Sequence, residues 1–151
     1  MYEQLFRKTD SANLRAYVVW VPKLFAEEGD IGRGLRTVPD PRATHFWDGD
    51  GIYLKGYARV LDLPKVFSGR IDAWDIFMIY GPNGQWSGNL PPPPDFWMHQ
   101  LLFPGIKAER LDAKVFAARA LSMLPQTNPS GSAWSPGMTV KPSLANYEPR
   151  R

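Results

Sequence analysis

The sequence contains no cysteine. Disulfides, thiolate metal sites and every form of thiol catalysis are thereby excluded. Nor is there a run approaching the ~20 apolar residues that span a bilayer. The opening "MYEQLFRKTDS" lacks a basic region followed by an apolar stretch, so no signal peptide is expected. A soluble, cytoplasmic protein without a transmembrane segment is the expectation. No dense basic stripe or basic–aromatic alternation occurs, and a net charge of +3 is too small to point to nucleic acid. Histidine is scarce, with His45 and His99 alone.

Aromatic residues, by contrast, are plentiful: six Trp, six Tyr and eight Phe in 151 residues, 44% of which are hydrophobic. Such a chain can bury one ordinary core, and its indole and phenol groups will need hydrogen-bond partners. The texture changes after Leu124. Residues 125–151 are rich in Pro, Ser, Gly and Asn, and cannot by themselves bury enough surface to offset an ordering entropy of roughly 1–2 kcal/mol per residue. The organisation read from this is a domain over residues 1–124 and an extended tail over 125–151.

Within the domain, "YEQLFRK" spaces Tyr2, Leu5 and Phe6 as one helical face. "AYVVWV" is a continuous apolar, β-rich run ended by Pro22, and predicts a strand buried on both faces. "AEEGDIGRGLRTVPDPR" has an acidic start, but Gly29, Gly32 and Gly34 each cost a helix about 1 kcal/mol, so a short helix or a loop is expected. "THFWD" predicts a short strand, "DGDG" a turn, and "IYLKGYARVLDL" a helix stopped before Pro64. "AWDIFMIYG" predicts a second strand, "PNGQ" a tight hairpin turn, and "WSG" the start of the returning strand. Pro91 to Pro94 form a stiff extended crossover that carries the chain off the sheet edge. "LDAKVFAARALSML" is the clearest amphipathic helix, with Asp112 placed to favour its positive end.

This order of elements is close to that of a thioredoxin fold. The series "VVWVPKL", "DPR", "HFWD", "AWDIFMIYG", "W" and "FWMHQL" resembles a group of bacterial thioredoxin-like proteins, from about Leu5 to Gln100. The resemblance implies an α/β, incomplete thioredoxin-like fold: a mixed central sheet flanked by helices, lacking the first strand and the start of the first helix, with the extended C-terminal tail added. It also implies that the family's redox activity is absent. That chemistry needs a Cys-x-x-Cys pair where a helix dipole lowers a thiol pKa. It also uses a cis-proline before the strand "AWDIFMIY", where Asp72 and Ala73 stand here; a cis bond without proline costs ~3 kcal/mol.

Candidate sites follow from residue type. His45 and His99, with an acid such as Asp48 or Asp95, have the donor set of a two-histidine, one-carboxylate metal site, provided that the fold brings them together. The competing role is that of two hydrogen-bonded histidines packed among tryptophans. Asp48, Asp50, Asp72, Asp75 and Asp95 all neighbour turns or aromatics, yet no spacing selects a catalytic pair. Asp40 and Arg42 in "PDPR" are expected to form a turn with a local ion pair. "GDIGRG" has glycines at positions 1, 4 and 6, matching neither the dinucleotide fingerprint nor a phosphate loop. "SGSAWSPG" has no nucleophile elbow. In the tail, Trp134, Met138, Val140, Leu144, Tyr147, Arg150 and Arg151 are the candidate anchors to a partner. The expected function is a non-catalytic structural or interaction subunit of a larger protein assembly, with no cofactor. A metal-binding protein or metal-dependent enzyme using His45 and His99 is the alternative.

Overall fold

In the computed structural model, which describes residues 2–125 apart from Ser68, Asn83, Ser87 and Asn89, the apolar runs become short strands separated by helices of very unequal length. The order is α1 (Tyr2–Leu5), β1 (Ala16–Trp20), α2 (Ile31–Gly34), β2 (Ala43–Trp47), α3 (Ile52–Val60), β3 (Lys65–Val66), β4 (Gly69–Arg70), β5 (Ile76–Ile79), β6 (Phe96–His99) and α4 (Ala113–Ser122). The fold is mixed α/β. No helix among the described residues is long and apolar enough to cross a membrane. The tail anchors Trp134, Met138, Val140, Leu144, Tyr147, Arg150 and Arg151 lie outside the described residues.

The strands form three two-stranded ladders rather than the one central sheet expected. β1 pairs in parallel with β2, β3 with β4 as a small hairpin, and β5 antiparallel with β6. Nothing in the sequence reading anticipated β3–β4. The "PNGQ" turn does close, with the Gly84 amide donating to the Gly81 carbonyl at 3.2 Å, but the strand returning to β5 is Phe96–His99 and not "WSG". The reason is side-chain supply. A strand covered on both faces needs apolar residues at every position; "FWM" provides them, whereas Trp86 is the only apolar residue between Gln85 and Asn89. The proline segment therefore leads back into the sheet. Pro91 is buried against α3, so close that a Cβ on Gly56 would stand 3.2 Å from its ring.

Alternation along β5–β6 builds two cores. Phe77, Ile79, Phe96 and Met98 face one way, against Leu5, Phe6 and the α4 residues Phe116, Ala117 and Ala120. Ile76, Met78 and Trp97 face the other way, against Ala58, Leu61, Leu63, Ile71 and Leu101. α4 starts as expected: Asp112 accepts from the Lys114 and Val115 amides, which holds its carboxyl below the usual range.

β1 is the main departure. It was expected to be buried on both faces, yet none of its residues is fully buried and Tyr17 is 71% exposed. Ala16 alone of the strand joins the first core. The helix that follows it in the chain, α2, has four residues, two of them glycine, and so offers no apolar stripe.

A second fixed point is Arg42. Its guanidinium makes a two-pronged bond to Asp40 (both 2.8 Å), donates to the carbonyls of Phe6 and Thr9 at 2.8 and 2.6 Å, and lies 5.2 Å from the Phe6 ring centre. The expected local ion pair is thus also a strap. It satisfies carbonyls in and just after the short 3-10 turn Phe6–Lys8 that follows α1, and ties that turn to the start of β2.

Candidate functional site

Trp20 and Trp47 are the last residues of β1 and β2 and are register partners. They stand at the carboxyl ends of the parallel pair, where loops diverge and α/β folds open their binding crevices. A pocket of about 440 Å³ lies there, lined by both indoles with Val21, Leu24, Phe25 and Ile31 among its apolar walls.

Each indole is seated on a glycine. A Cβ on Gly34 would lie 2.6 Å from the Trp20 ring, and one on Gly49 would lie 2.7 Å from the Trp47 indole nitrogen. The "GDIGRG" and "DGDG" stretches thus make room for tryptophan rather than phosphate. Trp20 Nε1 donates to His45 Nδ1 at 3.1 Å, the two rings within 7° of parallel and their centres 6.0 Å apart. This is an edge-to-edge hydrogen bond. It requires a bare Nδ1, so the His45 proton sits on Nε2.

Glu27, Asp30 and Arg33 are the charged groups of the lining. Glu27 and Asp30 form a reciprocal capping box on the 3-10 turn Glu28–Asp30, the Glu27 amide donating to Asp30 at 3.1 Å. Arg33 lies 3.8 Å from Asp30. The lining supplies one hydroxyl, Thr37, and no histidine. Its apolar walls suit an apolar group.

His45 and His99 have different hydrogen-bond surroundings. Among the described residues no group of three or more His, Asp or Glu side chains is placed to hold an ion. His45 lies on β2 and spends Nδ1 on Trp20; His99 lies on β6, is 4% exposed, and donates from Nε2 to the Ala108 carbonyl at 3.2 Å. His99 Nδ1 is buried and has no partner among the described residues.

Three of the candidate acids have hydrogen-bond or ion-pair partners. Asp48 is buried and accepts from the amides of Ile52 and Leu54 at 2.8 and 2.9 Å, holding the start of α3. Asp95 accepts from the Gly81 amide at 2.6 Å, and Asp72 pairs with Lys23. Asp75 enters β5 with a left-handed backbone, φ 52°.

The Trp20–Trp47 pocket was not foreseen. Its signal was present: two tryptophans ending two predicted strands, followed in "KLF" by apolar residues just past a strand-ending proline. Compared with protein-family models, curated proteins and solved structures, the chain shows no significant match in any of the three.

Proposed function

We propose that this chain is a non-catalytic, thioredoxin-like interaction subunit of a larger protein assembly. Three features support the reading. The order β1–α2–β2–α3–β5–β6–α4, a parallel pair followed along the chain by an antiparallel pair, is the element order of a thioredoxin-like chain. No cysteine is available for that family's chemistry. The third observation carries the proposal: among the described residues β1, with the apolar composition of a central strand, pairs on one edge alone and buries none of its residues fully.

Among the described residues β5 likewise pairs with β6 alone, and residues of β1 and β5 pack into the same first core. An extended partner segment laid along β1 would satisfy its second row of amides and carbonyls and cover Val18 and Val19. The tail, with Trp134, Met138, Val140, Leu144 and Tyr147, is the second grip in this reading.

The test is amide hydrogen exchange on the full chain alone and in the complex purified natively with it. The expected result is fast exchange at Tyr17 and Val19, whose amides point away from β2, in the free chain and slow exchange there in the complex, with the partner lost on deleting residues 125–151. Slow exchange of those amides in the free chain, with no stoichiometric protein partner, would overturn the proposal.

A further inference from the structure

The loop between β1 and α2 displays its two largest apolar side chains to water. Phe25 is 103% exposed and Leu24 is 79% exposed. Both have left-handed backbones, φ 64° and 54°, a conformation that non-glycine residues with apolar side chains rarely adopt. The loop is held so from both sides. The Lys23 amide donates to the Val21 carbonyl at 2.8 Å, the Ala26 amide to the Lys23 carbonyl at 3.0 Å, and the Lys23 ammonium pairs with Asp72. Strain that presents bare apolar groups beside an aromatic pocket is the arrangement of a knob next to its hole.

The rim identifies what the knob fits. The helical run from Glu28 to Thr37 with its cap Glu27 is acidic at one end, with Glu27, Glu28 and Asp30, and basic at the other, with Arg33 and Arg36. All five of these residues are exposed. A two-fold rotation lays the acidic end of one such run on the basic end of another, so the surface is complementary to itself in charge as well as in shape. We infer that a second copy of this chain occupies this surface, forming a two-fold dimer in which Phe25 of each copy, an exposed rim residue of its own pocket, packs into the Trp20–Trp47 pocket of the other. The pocket takes in Trp20, the last residue of β1, but the inference rests on side chains at that end and not on the strand's edge amides, so its test is read apart from that of the interaction-subunit reading.

Sedimentation of the full chain over a concentration series tests it. The wild type is expected to show a monomer–dimer equilibrium. Phe25→Glu should weaken it at least about tenfold, as loss of a central aromatic anchor does, with the circular dichroism spectrum unchanged because Phe25 touches solvent. Phe25→Asn removes the ring while suiting the left-handed backbone, and should give a monomer at least as heat-stable as the wild type. Glu28→Arg alone should weaken association several-fold, and the double swap Glu28→Arg with Arg33→Glu should restore it. A wild-type chain that stays monomeric up to its solubility limit overturns the inference. So does a dimer that Phe25→Glu leaves intact, since its interface would then lie elsewhere.

Discussion

The ladders β5–β6 and β1–β2 are built from similar residues, IFMI with FWMH and AYVVW with ATHFW, and differ in what lies over them. β5–β6 is covered on one face by α1 and the ten-residue α4, and on the other by residues of α3 and of the segments that follow it. Met98 is 1% exposed there, whereas the other ladder has no fully buried residue. A β-rich apolar run is therefore only an offer of surface. Burial follows when a helix long enough to carry an apolar stripe is available to accept it, and α2, with Gly32 and Gly34 in its four residues, is not such a helix.

The sharpest way to break this comparison is to truncate one residue in each ladder. Met98→Ala should lower unfolding free energy by about 2–5 kcal/mol, the usual cost of a cavity in a packed core. Val18→Ala should cost no more than about 1 kcal/mol, because the methyls it removes are already partly wet. Urea denaturation of both variants decides the matter, and equal losses would mean that β1 is as well packed as β6.

A smaller effect is expected at the join between the two regions, where Asp48 carries the chain from β2 into α3. Asp48→Ala leaves the Ile52 and Leu54 amides without their acceptor, and should cost about 1–2 kcal/mol. Faster exchange at those two amides, with β6 amides retaining their relative protection, would locate the loss.

The Asp40–Arg42 strap gives a pH signature on the β2 side. Its hydrogen bonds to Arg42, opposed in part by desolvation, hold the Asp40 carboxyl at about 2 against an ordinary value of 3.8. A depressed carboxylate stabilises the folded chain fully above its unfolded value and loses that contribution as pH falls through the folded one. The wild type should thus lose stability between about pH 4 and pH 2. Asp40→Asn should be less stable at neutral pH and lose less over that interval, as followed by thermal melts. A parallel loss in both proteins would show that the pair contributes nothing.

The mildest change is at the pocket. Gly34→Ala must displace the Trp20 ring, which lies partly in solvent, so a shift in tryptophan emission with little change in unfolding midpoint is expected. A large loss of stability instead would place Trp20 in the core of the fold.

Much of the architecture was legible because it rests on local chemistry. Pro22 closed β1 by lacking an amide, three glycines shortened α2, and Asp112 marked the start of α4. "DPR" announced a turn and an ion pair, although its reach to the carbonyls of Phe6 and Thr9 depends on residues more than thirty positions away. The partner of β5 was misread because a hairpin turn signals that the chain reverses and says nothing about how far on the pairing strand begins. The site was least legible. His45 and His99 drew attention by rarity, yet residue type carries no information on distance, and the fold gave each a separate hydrogen bond.

By itself, then, the amino-acid sequence determined which segments could be strands or helices, where each had to stop, and that thiol chemistry was closed to this protein. Those outcomes follow from backbone sterics, missing donors and missing atoms, all of which act within a few residues. Only the tertiary structure decided that β6 and not "WSG" completes β5, that one ladder is enclosed while the other is half bare, and that two tryptophans with a strained Leu24–Phe25 loop meet at one pocket. Those outcomes depend on which surfaces close over which, and apolar attraction is blind to direction until a particular fold gives it a partner.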